Sequence, residues 1–284
     1  MNRIQRILCA VDFSPESHGA AEYAAKLSKT LALPMALLHS HHVPAMAAYG
    51  RAVSPDCEVW IPGPGDERQE LDLWVAELRA EGMDAAPLFV EGAPAAAFAR
   101  NTEPGDLLVV GTHASGDIGR ALLGSTGERI MRESHCPTLI VPPDCRRRAI
   151  TTILVATDFS AASRHALTLA HDFAGLLGAT VHAVHVVFDE RVKSHEHYEV
   201  HEHLRGLIDA ATVDLAAMLA DYPDVPASVR AGIPHQEIIQ AADAANADVI
   251  AVGLHGHNPI EAAFLGSTAN RVVRRAPCVV LVTR

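Results

Sequence analysis

Glycine and hydroxyl residues near the end of the chain have the spacing of a phosphate-binding loop. Gly253 and Gly256 flank a loop that leaves a buried apolar run, and Gly266-Ser267-Thr268 follows at the start of a helical pattern. Glycine lets a backbone turn sharply and approach a ligand, and the free N–H groups at a helix N-terminus attract anions. The last third of the chain therefore predicts a phosphate-binding site.

An altered copy of this pattern lies in the first half of the chain. Gly111, Gly124 and Ser125 repeat three of the positions, but Ala114 stands where the second copy has its second glycine. If the backbone at that position is left-handed, a Cβ atom costs about 1–2 kcal/mol. We therefore expect the first copy to bind phosphate more weakly than the second.

The repeat extends through the whole chain. Each half opens with an apolar run that ends in an aspartate, Asp12 or Asp158, which is followed by phenylalanine and serine. A repeat of about 140 residues has the size of a domain and not of a solenoid unit. The sequence thus predicts two similar domains, at residues 1–145 and 149–284.

Short β-branched runs alternate with longer helical patterns in each half. In the second half the predicted strands are 153–156, 180–186, 227–230, 248–252 and 279–282, and predicted helices include 161–177, 194–220 and 234–245. Strands that are apolar throughout and separated by helices are typical of a parallel sheet with helices on both faces. We predict an α/β, doubly wound fold with five strands per half. Because ligands bind at the carboxyl edge of such sheets, we expect Asp158, Val186 and Gly253 to converge.

Both halves resemble universal stress protein domains. The family's nucleotide motif is a glycine, two residues, a glycine, nine residues, and then glycine with serine or threonine, and the second half matches it completely. The resemblance implies tandem Rossmann-like domains, similar to the adenine nucleotide alpha hydrolase fold, that bind ATP, with Mg²⁺ as a companion ion and slow or no hydrolysis. The ATP-binding residues that it implies are Ala156, Thr157, Asp158, Val186, Val252, Gly253, His255, Gly256, His257, Gly266, Ser267 and Thr268. The weaker first-half site would comprise Asp12, Gly111, Gly124 and Ser125.

The sequence lacks the residue patterns of fast phosphate chemistry. It contains neither the Gly-x-x-x-x-Gly-Lys-Ser/Thr loop nor the Gly-x-Ser-x-Gly motif, and without a loop lysine or an evident base to orient water, rapid ATP hydrolysis is not expected. The resemblance implies a regulator of the stress response and not a metabolic enzyme. Two alternatives stay open: an ATP-independent interaction scaffold, and a protein that binds a metal or another small ligand.

Two histidine clusters support the second alternative. His197 and His201 are four residues apart in a helical pattern, where they could share a zinc or nickel ion, although a solvated helix face explains them as well. His39, His41 and His42 follow an apolar run of the first half. They could fill the crevice that a degenerate nucleotide site leaves, or belong to a polar loop.

Composition limits the partners and the compartment. A formal net charge of −11 argues against nucleic acid as the main partner. Five cysteines, an odd number, favour free thiols in a reducing cytoplasm over a disulfide framework. The sequence shows no signal peptide and no apolar run of about 18 residues, so we expect a cytoplasmic protein with no membrane span.

The resemblance also implies how the halves assemble. It places the last strands of the two halves, 139–141 and 279–282, next to each other across a pseudo-two-fold axis within one chain, so that a further homodimer is not required. The proline- and glycine-rich segment 53–66 interrupts the repeat. We expect that segment to form a lid or a surface loop.

Overall fold

One ten-stranded sheet, to which each half of the chain contributes five strands, organises the molecule. In this computed structural model the described residues are 4–42, 63–115, 120–122, 125–145, 149–188, 198–254 and 266–284.

In the first half, the elements alternate along the chain. The strands are β1 (Arg6–Val11), β2 (Met35–His41), β3 (Ala85–Glu91), β4 (Asp106–Gly111), β5 (His113–Ser115), β6 (Arg120–Leu122) and β7 (Thr138–Val141). The helices are α1 (Pro15–Leu31), α2 (Pro64–Ala80), α3 (Pro94–Asn101) and α4 (Ser125–Glu133), and a short 3₁₀ turn follows at Pro143–Cys145.

The second half repeats this order, with no counterpart of β5 and β6 among its described residues. Its strands are β8 (Thr152–Thr157), β9 (Thr180–Val187), β10 (Ala227–Ala231), β11 (Val249–Gly253) and β12 (Val279–Thr283). Its helices are α5 (Ala161–Leu177), α6 (Tyr198–Met218), α7 (Pro234–Ala244) and α8 (Ser267–Arg275).

The strand order of the sheet is β10-β9-β8-β11-β12-β7-β4-β1-β2-β3. Within each half the neighbouring strands are parallel, and the two halves meet where β12 pairs with β7 in the antiparallel sense, with Val280 opposite Ile140 and Leu281 opposite Leu139. The predicted α/β fold with five parallel strands per half is confirmed. The antiparallel hairpin of β5 and β6, outside the main sheet, was not predicted.

Both faces of the sheet are covered. Ile7 and Leu8 are adjacent in β1, so their side chains point to opposite faces, yet both are fully buried and each belongs to a separate core cluster. Full burial of one such side chain contributes about 1.5–3 kcal/mol. Helices on both sides therefore stabilise the strands, as the continuous apolar runs indicate.

The cysteines among the described residues are free thiols, as expected. Cys9, Cys136, Cys145 and Cys278 are all buried. Burial raises the pKa of Cys136 to about 12, so this thiol stays neutral and unreactive at neutral pH.

The start of α2 corrects one expectation. Residues 64–66 were expected to belong to a lid or surface loop, but they form the first turn of α2. Pro64 occupies the first helical position, where its missing N–H costs nothing. The Gly63 N–H donates to Asp66 Oδ2 at 3.2 Å, which anchors the turn. Residues 53–62 lie outside the described part of the chain.

Candidate functional site

A cavity of about 220 Å³ opens at the carboxyl edge of the second-half strands. It lies where β8 separates β9 from β11, so the chain winds to one side of β8 and then to the other, which is where ligands bind in such sheets. The predicted residues that line it are Ala156, Thr157, Asp158, Val186, Val252, Gly253, Gly266, Ser267 and Thr268. Predicted His255, Gly256 and His257 lie outside the described residues.

A tight turn places Asp158 at the mouth of this cavity. The Asp158 carboxylate accepts the Ser160 N–H at 3.0 Å, and Phe159 between them has a left-handed φ of 65°. Ser160 then caps α5 by accepting the Ser163 N–H at 3.2 Å. Asp158 is exposed, so its carboxylate reaches the solvent side of the cavity.

His185 is a cavity residue that sequence reasoning missed. Its Nδ1 lies 2.8 Å from the Thr157 carbonyl oxygen, and because a carbonyl can only accept, Nδ1 carries the hydrogen. The ring stacks on Phe159 with centroids 4.3 Å apart. The repeat in the sequence could have indicated His185, because it occupies the position of His39 in the first half. His39 makes the same 2.8 Å contact, to the Val11 carbonyl oxygen.

Gly253 has a packing role that the sequence did not indicate. A Cβ atom on Gly253 would lie 2.9 Å from the backbone of Ala162 and Ser163 in α5. Gly111 is equivalent, since its Cβ would lie 2.8 Å from the Glu16 carbonyl oxygen of α1. Each glycine therefore lets a strand end pack directly against a helix start.

The first turn of α8 forms the polar end of the second-half cavity. Gly266 is the N-cap residue and has no side chain to accept the N–H groups of that turn. Ser267 and Thr268 line the cavity. The positive end of the helix dipole and these N–H groups suit an anion.

A buried histidine joins the two helices that flank this cavity. His235 in α7 is 5% exposed, and its Nε2 accepts from Arg275 Nη1 of α8 at 2.7 Å. Burial, followed by the charges of Arg275 and Arg271, lowers the pKa of His235. The neutral ring therefore holds α7 against α8.

The first half has a larger cavity, of about 440 Å³, at the equivalent edge of its strands. Asp12 and Gly111, both predicted, line it. Ser125 begins α4, and Gly124 lies outside the described residues. Ala114 lies in β5 of the hairpin.

Histidines and a glutamate form a cluster beside the first-half cavity. His39 and His41 belong to β2, so the polar-loop interpretation is wrong for both, whereas His42 follows the strand and is exposed. Glu67 Oε2 of α2 lies 3.2 Å from His39 Nε2 and 2.6 Å from His41 Nδ1. Since His39 already donates through Nδ1, its contact with Glu67 needs a second proton on the ring or one on the carboxyl.

The predicted metal pair falls largely outside the described residues. His197 is among the residues not described, and His201 lies in α6, although nothing is described of its side chain. Elsewhere in the described ranges, no group of three or more histidine, cysteine, aspartate or glutamate side chains could hold a metal ion.

The helices that begin at the two cavities are linked. Arg274 of α8 forms an ion pair with Glu128 of α4, and its Nε donates to Asn270 Oδ1 at 2.7 Å. The first turn of α4 in the first half is thereby connected to the last turn of α8 in the second half.

Comparison with known proteins gives the family. The universal stress protein family model matches residues 3–142 and 149–284. The chain belongs to the universal stress protein family. Its two matches make it a tandem member, in which each half corresponds to one family domain.

Individual relatives agree with this membership. Universal stress protein Rv2005c of Mycobacterium tuberculosis is 26% identical over 305 residues, covering 98% of this chain and 96% of that protein. A universal stress protein of Thermus aquaticus is 34% identical over 145 residues, which are 47% of this chain and 98% of the relative. The crystal structure of a universal stress protein from Archaeoglobus fulgidus, 23% identical and covering 98% of both chains, has the same fold with a TM-score of 0.70.

Within the described residues, no helix is both long enough and apolar enough to cross a bilayer.

Proposed function

We propose that the second-half cavity binds ATP and that the protein is a nucleotide-binding regulator of the stress response. The observation that supports this most directly is the convergence of predicted residues from β8, β9, β11 and α8 at one cavity. Family membership adds to this support.

We assign the parts of the nucleotide to opposite ends of the cavity. Val186 and Ile238 contribute apolar surface that suits an adenine ring. Asp158 is an exposed acceptor, which suits the ribose hydroxyls. The first turn of α8, with Ser267 and Thr268, suits the phosphate chain.

The energies are adequate for micromolar affinity. Each charge-assisted hydrogen bond contributes about 1.5–3 kcal/mol, and the helix dipole about 0.3–1 kcal/mol more. Three or four such contacts reach the roughly −8 kcal/mol of micromolar binding. Mg²⁺ enters this proposal as a companion ion on the phosphate oxygens.

We propose slow or no hydrolysis, so that the bound nucleotide acts as a signal and not as a substrate. No lysine or arginine is found among the described residues that line the cavity. Rapid phosphoryl transfer relies on such cations to stabilise charge on the transferred group.

The assembly belongs to the same proposal. We propose domains at residues 1–145 and 149–284 that form an intramolecular pseudo-dimer, which the antiparallel pairing of β7 with β12 supports. A further homodimer is not required. We also propose a cytoplasmic location and an adenine nucleotide, with no membrane, as the partner, and the formal net charge of −11 argues against nucleic acid.

Calorimetric titration of the full chain with ATP tests this function. Ala156 and Ala10 line the two cavities at equivalent positions and are each 8% exposed. Ala156→Leu fills the second cavity and should weaken ATP binding at least about tenfold, a difference of about 1.4 kcal/mol. The matched Ala10→Leu variant should leave that ATP binding unchanged.

A second variant covers the outcome in which Ala156→Leu fails to fold. Ser267→Glu places a carboxylate at the first turn of α8, on the cavity wall, and should repel the phosphates without adding bulk to the sheet. Circular dichroism establishes that each variant is folded. ATP affinity that is unchanged in both folded variants would overturn the proposed site and favour an ATP-independent scaffold.

A further inference from the structure

The two cavities are alike at the end where the strands supply the walls. Ala10 and Ala156 occupy equivalent wall positions. Asp12 accepts the Ser14 N–H at 3.1 Å, as Asp158 does for its own serine, and both aspartates line their cavities. The first half therefore keeps the wall alanine and the aspartate that the proposed function assigns to the ribose, whereas Ser40 and Phe98 line it at the positions of Val186 and Ile238.

The cavities differ where a helix start faces the phosphate end. Glu16, in the first turn of α1, lines the first-half cavity together with Thr126 and Gly127 of α4. The position equivalent to Glu16 in α5 is Ala162, whose backbone packs on Gly253 as that of Glu16 packs on Gly111. The first half thus carries a carboxylate side chain where the second has a methyl group.

No cation offsets this charge in the part of the cavity wall that the structure describes. The described lining contains Asp12 and Glu16 but no lysine or arginine. Within the described ranges the Glu16 carboxylate forms no hydrogen bond or ion pair. A phosphate chain placed at the start of α4 would meet this charge in a cavity, where repulsion is screened less than in bulk water.

The chain that follows Gly111 also limits phosphate binding in the first half. In the first half this segment forms β5, whose residues Ala114 and Ser115 lie opposite Ala121 and Arg120 of β6. Pairing in a hairpin uses backbone N–H groups of β5, so fewer of them remain to bind phosphate oxygens.

We propose that the first-half cavity binds a purine nucleoside that carries no phosphate, and that Glu16 is the residue that rejects the phosphorylated form. This inference rests on the proposed function, because that function supplies the base and ribose assignment. The volume of about 440 Å³ lies in the range of small-molecule sites. The chain would then bind two chemically related ligands, with the phosphate chain deciding which half each enters.

Calorimetry on the full chain with adenosine and with ATP as probes tests this inference. Part of the adenosine binding should occur in the first-half cavity, so Ala10→Leu should remove it and Ala156→Leu should leave it unchanged. ATP should not bind in that cavity, so Ala10→Leu should leave all ATP binding unchanged. Glu16→Ala gives the first half the residue that the second half has at this position. The ATP affinity of the first cavity should then be at least tenfold higher than in the original chain. Glu16→Gln removes the charge at nearly constant size and should act in the same direction.

The reciprocal variant is Ala162→Glu. It should weaken ATP binding by the second half at least tenfold and leave adenosine binding by the first half unchanged. Glu16 is partly exposed and without partners in the described residues, so its variants should fold, which circular dichroism checks.

The outcomes separate this inference from the proposed function. The inference is overturned if Ala10→Leu removes part of the ATP binding of the original chain. It is also overturned if Ala10→Leu removes no part of the adenosine binding. ATP binding that neither Ala156→Leu nor Ser267→Glu weakens overturns the proposed function instead. If Glu16→Ala and Glu16→Gln both fold and neither gains ATP binding, Glu16 is not the residue that excludes phosphate.

Discussion

The two crevices of this protein share their strand-lined walls but differ at their helix starts. Both keep an aspartate turn, a histidine bound to a backbone carbonyl, and a glycine packed on the adjoining helix. The first has Glu16 in its helix-start turn where the second has Ala162, and within the described residues a second carboxylate, that of Glu67, contacts the histidine of the first half.

This difference shows which positions the fold constrains after a duplication. Gly111 and Gly253 cannot gain a side chain without moving the backbone of α1 or α5. Glu16 and Ala162 are the helix residues whose backbone lies against these glycines, and they carry different side chains at this contact. Ligand preference can therefore change at the helix start while the strand ends stay fixed.

The largest expected effect tests whether the shared constraint is equal in the two halves. Gly253→Val and Gly111→Val each introduce a side chain within 3 Å of helix backbone, and each should lower the free energy of unfolding by about 3 kcal/mol because overpacking forces the helix to shift. Urea unfolding measures this. Gly175→Ala in α5, where a Cβ meets nothing within 4 Å, should instead stabilise by about 0.5–1 kcal/mol. A loss confined to one half would show that the two contacts are not equivalent.

An intermediate effect is expected from the histidine–glutamate cluster of the first half. Glu67→Ala leaves His39 and His41 without their shared acceptor and should cost about 1–3 kcal/mol, as removal of one partner of a largely buried hydrogen bond does. Thermal or urea unfolding measures the loss. Glu70→Ala, an exposed position in the same helix, should change stability by less than about 0.5 kcal/mol. Equal effects of the two variants would mean that the cluster does not anchor α2.

The smallest effect concerns a feature of the second half alone. His235 accepts from Arg275 only as the neutral ring, and burial, with the nearby arginines, holds its pKa in the folded state below the ordinary value of 6.5. The unfolded chain therefore takes up the proton first, so this contribution to stability is present above about pH 6.5 and is lost as the pH falls below it.

The matched variant for that prediction is His235→Ala, because the first half has Ala95 at the equivalent position. Near pH 7.5 the variant should be about 1 kcal/mol less stable, from the lost hydrogen bond. Between pH 7.5 and pH 5.5 it should lose less stability than the original chain, as measured by urea unfolding at both pH values. Identical pH dependence of the two proteins would exclude His235 as the titrating group.

Much of the architecture could be predicted from local patterns in the sequence. Apolar β-branched runs such as 153–156 and 249–252 have no polar side to expose, so they indicate strands buried on both faces, and the repeat indicates that both halves share the fold. The start of α2 escaped prediction because Pro64 and Gly65 are ordinary loop residues. The contact of Asp66 with the Gly63 N–H helps to make that turn helical.

The sequence by itself determined the duplication, the α/β order and the residues that end the strands, because these follow from periodicity and from the conformations that glycine and proline allow. The tertiary structure decided which residues face one another. His185 and Glu67 carry no local motif, and Glu16 is an ordinary helix-start carboxylate in the sequence. Their roles depend on contacts between elements far apart in the chain, such as β2 with α2 and β4 with α1, and no local pattern encodes such distances.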